Sequence, residues 1–159
     1  MSKNIDILIA NADDAEDIAR LSYQVGKMHD DALPDYFRPT PEEEHLRIIQ
    51  NMLKDENAVI FKAVDGDKIC GFMCLLIQEK SRNGFVHSKV AYIYNFGIDE
   101  KIRSLGIGGK MLHEAESFLR EKGVEAVELS VFMFNQRALA FYAKNGYRTL
   151  EINLQKILK

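Results

Sequence analysis

The sequence of 159 residues lacks several features that would assign it to particular protein classes. It has no run of about 18 apolar residues, so no membrane span is expected. Its two cysteines, Cys70 and Cys74, would lie about 13 Å apart on one strand, too far for a disulfide. No histidine or cysteine spacing matches a metal site. These observations predict a cytoplasmic protein with two reduced thiols and no metal.

The sequence also lacks a concentrated block of basic residues. Its net charge is −3, and acidic and basic residues are mixed along the chain. Because phosphate-backbone binding needs a concentrated basic surface, nucleic acid is not expected as a partner. A weakly acidic chain fits a small cationic substrate better. The alternating Ile5, Ile7 and Ile9 fit a first strand better than a secretion signal.

Hydrophobic periodicity predicts a single α/β domain over residues 1–159. A capping box at Asp13 and Glu16 predicts a first helix that runs to about Met28. A second helix is predicted to start at Thr40-Pro41, after a loop over 29–39. The further predicted elements are strands Val59–Val64, Lys68–Gln78, Val90–Asp99 and Val124–Phe132, helices Gly106–Lys122 and Asn135–Lys144, a polar loop Ser81–Ser88, and one or two last strands in Tyr147–Leu158. The order β-α-α-β-β-β-α-β-α-β predicts a mixed, mostly antiparallel twisted sheet with helices on both faces.

A glycine-rich turn lies between the third predicted helix and the strand before it. The residues Arg103-Ser104-Leu105-Gly106-Ile107-Gly108-Gly109-Lys110 fit the pattern R-x-x-G-x-G. Backbone N–H groups at a helix start are unpaired and bind phosphate well, and glycine lets a ligand approach closely. The spacing does not match a P-loop or a dinucleotide-binding turn. A glycine-rich helix start without a ligand is the alternative interpretation.

Two blocks of sequence resemble the GNAT superfamily of acetyltransferases. The first is the strand Ala91–Asp99 followed by the R-x-x-G-x-G turn. The second, Asn135–Tyr147, is similar to the signature N-x-x-A-x-x-F-Y-x-x-x-G-[FY] and begins 27 residues after Gly108. The resemblance implies the GNAT fold, acetyl-CoA as co-substrate, and transfer of an acetyl group to a primary amine of a small molecule, protein or peptide. It also implies a bulge in the strand, which we expect at Gly97.

The resemblance further implies which residues contact coenzyme A. Backbone N–H groups of the turn would hold the pyrophosphate, and the strand backbone would bind pantetheine. The implied residues are Phe96, Ile98, Arg103, Leu105, Gly106, Ile107, Gly108, Gly109, Lys110, Asn135 and Tyr142. Arg103 is equally well explained as a solvated loop residue, and Asn135 as a helix cap.

The implied catalytic residues are Tyr142 and Asn95. Tyr142 would be the general acid that protonates the departing thiolate, and its alternative role is a packed core tyrosine. Many family members carry a glutamate near the position of Asn95. The asparagine side chain itself cannot accept a proton at neutral pH. We therefore expect water held by polar strand groups to act as base, with Tyr94 or His87 as alternatives.

The acceptor amine is expected to contact the first half of the chain. The implied substrate residues are His29, Asp30, Tyr36 and Tyr94, and solvated acids at a helix end are the alternative for Asp30. His45 and His113 are expected to be exposed or structural.

The missing strand carboxylate keeps a second function open, a non-catalytic acyl-CoA-binding or regulatory domain, and use of another acyl-CoA is a third. A homodimer is an open alternative to a monomer.

Overall fold

The structure is a computed structural model that describes residues 4–79 and 84–159. These residues form two compact units, one ending at Leu129 and the other spanning Ser130–Lys159. The elements of the first unit are β1 (Ile5–Ile9), α1 (Ala15–Ala32), α2 (Glu42–Lys54), β2 (Ala58–Asp65), β3 (Lys68–Glu79), β4 (Lys89–Ile98), α3 (Ile107–Glu121) and β5 (Ala126–Glu128). Short 3-10 turns, Ala12–Asp14 and Glu100–Ile102, precede α1 and follow β4. The second unit contains α4 (Gln136–Lys144).

A five-stranded sheet organises the first unit, counted over the described residues. Its order is β1-β2-β3-β4-β5. The first four strands are antiparallel, and β5 runs parallel to β4. A parallel neighbour needs a crossover connection, which α3 provides. The predicted fold class, a mixed and mostly antiparallel sheet with helices, is therefore confirmed.

Helices cover both faces of this sheet. On one face α1 and α2 bury a core that includes Ile18, Leu21 and Phe72. On the other face a β-carbon added at Gly71 would lie 3.2 Å from the Met111 sulfur of α3. Since neighbouring residues of a strand point to opposite faces, Gly71 and Phe72 mark the two layers.

Several predicted boundaries differ from the structure. The first capping box joins Asn11 and Asp14, so the predicted box at Asp13 and Glu16 is wrong. Helix α1 continues to Ala32, beyond the predicted end, because no proline interrupts it before Pro34. The N-cap of helix α2 is Pro41 and not Thr40, as the predicted start would require. Proline has no side-chain group that could accept a capping hydrogen bond.

The strands at the end of the chain are shorter than predicted. Strand β5 covers Ala126–Glu128, and within the described residues no strand follows α4. A strand needs a paired neighbour, and the second unit taken by itself contains none. The predicted last strands at Tyr147–Leu158 are therefore not found, and residues 81–83 of the predicted polar loop lie outside the described residues.

The expected bulge exists but not at Gly97. In the β3–β4 register Cys74 faces Asn95 and Leu75 faces Ile93, which leaves Tyr94 as the extra residue. Glycine is needed at position 97 for a different reason. An added β-carbon there would lie 2.6 Å from Val25 Cγ2 and 2.9 Å from the Phe72 ring. Its lack of a side chain lets α1 pack directly on β4.

The close approach at Gly97 predicts that even the methyl group of alanine would destabilise the fold. Gly97→Ala should lower the free energy of unfolding by about 1–3 kcal/mol, because Val25 and Phe72 must move. The matched control is Gly109→Ala on α3, where an added β-carbon meets nothing within 4 Å. The control should leave stability unchanged or raise it by up to about 1 kcal/mol. Urea unfolding measures both, and equal stabilities for the two variants would contradict the packing argument.

Candidate active site

The turn before α3 presents backbone N–H groups at its surface. Ser104 (φ 71°) and Gly106 (φ 78°) both adopt left-handed backbone conformations, which aim the chain into the helix. At a helix start the N–H groups of the first turn, here Ile107, Gly108 and Gly109, have no acceptor within the helix. An added β-carbon at Gly106 or Gly109 would meet nothing within 4 Å. The turn therefore leaves room for an anionic group at the positive end of the helix dipole.

Two residues of the turn have roles that the sequence did not predict. The Lys110 N–H, predicted to contribute to phosphate binding, donates to Gly106 O (3.1 Å) within the helix, and its ammonium donates to the backbone O of Ile5. The Arg103 Nε donates to Ile98 O (2.9 Å). Arg103 thus joins the turn to the end of β4, with its terminal nitrogens as further donors. Leu105 is exposed beside it.

Within the first unit, one edge of strand β4 beside this turn, here called the open edge, has no strand partner among the described residues. Strand β5 pairs with β4 at Val90, Ala91 and Tyr92. Within the first unit, no described strand pairs with the β5 side of β4 after Tyr92. Unpaired N–H and C=O groups of such an edge can bind an extended ligand as an additional strand would.

The bulge decides which residues face this open edge. Lys89 O accepts from Glu125 N at the β5 side, whereas Asp99 N donates to Cys70 O at the β3 side. In a regular strand two residues an even number apart face the same side. The extra residue Tyr94 reverses this alternation, so the backbone groups of Phe96 and Ile98 point to the open edge. Phe96 and Ile98 therefore both lie on the side of β4 that faces away from β3.

A buried chain of polar side chains ends at Asn95. The Asn95 Nδ2 donates to Ser22 Oγ (2.9 Å), and Ser22 Oγ lies 2.9 Å from His45 Nδ1. Ser22 and His45 are buried. His45 was expected to be exposed or structural, and burial lowers the pKa of its imidazole. Sequence reasoning missed this chain because its members come from α1, α2 and β4.

Three side chains that could be considered as the base, Asp99, His87 and Tyr94, have different surroundings. Asp99 accepts from Lys101 N (3.0 Å) and lies 3.6 Å from the Lys68 ammonium. The hydrogen bond from the Lys101 backbone and the Lys68 charge hold the pKa of Asp99 below its usual range, so Asp99 is an ionised cap. His87 lies 3.3 Å from Glu125 before the start of β4, about 20 Å of strand away from Asn95. Tyr94 is exposed at the bulge.

Two of the predicted substrate residues, His29 and Asp30, lie in the last turns of α1, whereas Tyr36 lies in the turn that follows this helix. His29 Nδ1 lies 2.8 Å from Val25 O, and its ring meets Phe37 edge-on at 6.0 Å. Tyr36 also meets Phe37, at 4.9 Å. Phe37, which the sequence did not single out, thus joins His29 and Tyr36. Asp30 lies on the helix face that carries Ser22 and Gly26, since these residues are four apart.

The second unit contains the other two predicted residues. Asn135 caps α4 by accepting from Ala138 N (3.1 Å), which confirms its capping role. Tyr142 is partly buried, and its ring lies 5.3 Å from that of Tyr147. Burial raises the pKa of the Tyr142 phenol. The hydroxyl therefore keeps its proton at neutral pH, as a general acid must.

The buried thiols are poor candidates for covalent catalysis. Cys70 and Cys74 form no disulfide and are buried. Burial raises the pKa of the Cys74 thiol, which disfavours the nucleophilic thiolate. Over residues 4–79 and 84–159, no group of three or more metal-ligating side chains is found. Among the helices described, none is both long and apolar enough to cross a membrane.

Comparison with known proteins identifies the family. The sequence pattern of the acetyltransferase (GNAT) family matches residues 25–147. The chain belongs to this family. The uncharacterized N-acetyltransferase YdgE of Bacillus subtilis is 37% identical over 44% of this chain and 45% of its own length. The chain thus matches about half the length of this relative. GNAT membership supports acyl transfer as the general chemistry.

Solved structures of GNAT-like fold agree with the architecture. The tetramutant of the BH1408 protein from Bacillus halodurans has a TM-score of 0.87 and 28% identity, covering 96% of this chain and 99% of that chain. The aminoglycoside N-acetyltransferase AAC(6')-Iy, solved in complex with CoA, has a TM-score of 0.79 and covers 97% of this chain and 94% of that chain. At 18% identity this second likeness shows the fold alone.

The buried imidazole predicts a stability loss at acid pH. The folded state holds the His45 pKa below its unfolded value of about 6.5, so the unfolded chain binds the proton more readily. The contribution of His45 is therefore present above about pH 6.5 and is lost as the pH falls through the folded pKa. Between about pH 7.5 and 5, the free energy of unfolding should fall more in the wild type than in His45→Asn, which cannot titrate. Parallel losses in both proteins would contradict a depressed pKa.

Proposed function

We propose that the protein transfers an acetyl group from acetyl-CoA directly to a primary amine. The observation that carries this proposal is the open edge of β4 directly before the turn into α3. Along that edge Ile98 presents its backbone N–H to an extended pantetheine arm, and Phe96 lies on the same side of β4. The N–H groups of Ile107, Gly108 and Gly109 provide an anion site for the pyrophosphate.

The hydrogen bond from Arg103 assigns separate roles to the two backbone groups of Ile98. Its carbonyl is occupied by the Arg103 Nε. Its N–H remains to donate to the thioester carbonyl oxygen, where negative charge develops in the transition state. Arg103 thereby positions the end of β4 and keeps a competing acceptor away from the reacting carbonyl.

The reaction then proceeds by direct attack. The neutral amine nitrogen forms a bond to the thioester carbonyl carbon and passes its proton to water held by polar groups of β4. The tetrahedral intermediate collapses, the carbon–sulfur bond breaks, and Tyr142 gives its proton to the leaving thiolate. The raised pKa of the Tyr142 phenol keeps that proton available at neutral pH.

The acceptor is proposed to be a cationic small molecule or a peptide amine. The chain has a net charge of −3, and Asp30 and the ring cluster of His29, Tyr36 and Phe37 offer acidic and aromatic contacts. YdgE carries the name of an N-acetyltransferase, and AAC(6')-Iy that of an aminoglycoside N-acetyltransferase. We also propose a cytoplasmic location, which suits two buried free thiols.

Coenzyme A release with a panel of amines tests the proposed function, and Gly108→Glu tests its binding site. The glutamate would place a side chain and a negative charge at the anion site, so acetyl-CoA affinity should fall by at least about tenfold. The control is His113→Glu, which adds a charge to an exposed position of the same helix and should bind normally. Calorimetry measures both affinities. Unchanged binding in Gly108→Glu would show that the turn is not the phosphate site.

Tyr142→Phe tests the general acid. Turnover should fall about 10²-fold or somewhat less. A positioned general acid typically contributes about 10²–10⁴-fold, and the low end applies here because a thiolate leaves fairly well unaided. Acetyl-CoA affinity should stay nearly constant, since the ring remains. The raised pKa predicts that the wild-type rate does not fall through Tyr142 ionisation below about pH 10.

Tyr147→Phe removes a hydroxyl from the same aromatic contact and is the matched control. Steady-state kinetics with a slow amine, for which chemistry limits the rate, measures both variants. Wild-type turnover in Tyr142→Phe would assign Tyr142 to packing alone.

A further inference from the structure

The polar chain from His45 to Asn95 ends in a ring nitrogen that has no partner among the described residues. The His45 Nε2 is buried and, among the described residues, has no hydrogen-bond partner. Its Nδ1 faces Ser22, while Nε2 lies nearer Gly26, one turn further along α1: an added Gly26 β-carbon would be 2.9 Å from Nε2 and 4.0 Å from Nδ1. The same face of α1 continues to Asp30. The unpartnered nitrogen is therefore turned toward the side of a carboxylate.

Two directions of hydrogen bonding are possible along this chain. In the first, Asn95 Nδ2 donates to Ser22 Oγ, the Ser22 hydroxyl donates to His45 Nδ1, and Nε2 carries the proton. In the second, His45 Nδ1 donates to Ser22 Oγ, the Ser22 hydroxyl donates to Asn95 Oδ1, and Nε2 presents a lone pair. The charge of Asp30 acts on His45, and a carboxylate attracts an N–H but repels a lone pair. Asp30 thus selects the first direction, in which the Asn95 oxygen remains for a ligand.

We propose that Ser22 and His45 are positioning residues that fix the amide of Asn95 with its oxygen Oδ1 toward the acceptor amine. Asn95 is only partly buried and lies next to the bulge residue Tyr94. Oδ1 would accept a hydrogen bond from the attacking amine and hold its lone pair toward the thioester carbonyl. This inference rests on the proposed amine acetylation.

Protonation of His45 would reverse the direction of the chain. An imidazolium donates from both nitrogens, so Nδ1–H would donate to Ser22 Oγ. The Ser22 hydroxyl proton would then need a new acceptor, and a flipped Asn95 amide supplies its Oδ1. The flip replaces the acceptor that faces the amine by a donor, Nδ2. Activity toward the amine should therefore fall when His45 is protonated.

The charged and titratable groups around His45 come from two helices. On α1, Tyr23 meets the imidazole edge-on at 5.7 Å and Asp30 acts on it electrostatically. On α2 itself, Glu42 and Glu44 act in the same direction. Strand β4 contributes the neutral amide of Asn95. These acids favour the imidazolium, while burial, which is the larger effect, favours neutral His45.

Three variants and a control test the positioning role by steady-state kinetics. Ser22→Ala and His45→Leu should lower kcat/KM for the amine by about three- to tenfold, the value of a neutral hydrogen bond, and leave the KM for acetyl-CoA unchanged. His45→Asn should restore most of the activity, because its side-chain oxygen can accept from Ser22. It should also lack the acid limb that the wild type shows below about pH 6.5. His113→Gln, at an exposed position of α3, should behave as the wild type.

A double-mutant cycle and a spectrum separate this inference from the proposed function. If Ser22 acts through Asn95, Ser22→Ala should cost nothing further in an Asn95→Ala background. Wild-type kinetics in Ser22→Ala, or additive effects of the two changes, would overturn the inference. If no amine is acetylated, the proposed function fails, and the histidine ¹⁵N spectrum still decides the direction of the chain. A neutral His45 protonated at Nε2 supports that direction, and one protonated at Nδ1 overturns it.

Discussion

The bulge at Tyr94 is the constraint on which the arrangement of the first unit depends. One extra residue in β4 reverses the alternation of the strand between Ile93 and Asn95. Before the bulge β4 pairs with β5, and after it the backbone groups of Phe96 and Ile98 lie on a side of β4 that has no strand partner among the described residues of the first unit. The same reversal places the side chain of Asn95 against Ser22 on the helical face. The edge proposed for pantetheine and a buried polar chain thus depend on the same backbone irregularity.

Close packing at glycines keeps these parts in place. Gly97 lets Val25 and Phe72 approach β4, and Gly26 lets the imidazole of His45 lie directly against α1. A larger residue at either position would push a helix away from the sheet or from its neighbour. The hydrogen bonds of Ser22 depend on that spacing, since they span about 2.9 Å in both directions. Precise packing of the core and polar contacts near the site are therefore coupled.

Much of the fold follows from local patterns in the sequence. The strand and helix order was predicted because the hydrophobic period changes from helical to alternating and back, and glycine and proline mark the turns. The boundaries were less accurate, as at the end of α1, where Met28 to Ala32 stays helical without a strong apolar stripe. The last predicted strand is not found, because pairing of a strand depends on a neighbour that local pattern does not describe.

The sequence by itself determined the family, the glycine-rich turn before α3 and the capping role of Asn135, because each is encoded in adjacent residues. Only the tertiary structure decided where the bulge lies, why Gly97 is small, and what Arg103 and Lys110 bind. It also decided that His45 is buried and linked to Asn95 through Ser22. These three residues are far apart in the chain, and their contact depends on how α1 and α2 pack on β4. Periodicity reports which face of an element is apolar, but hydrogen bonds between elements depend on distances that arise only when the elements pack together.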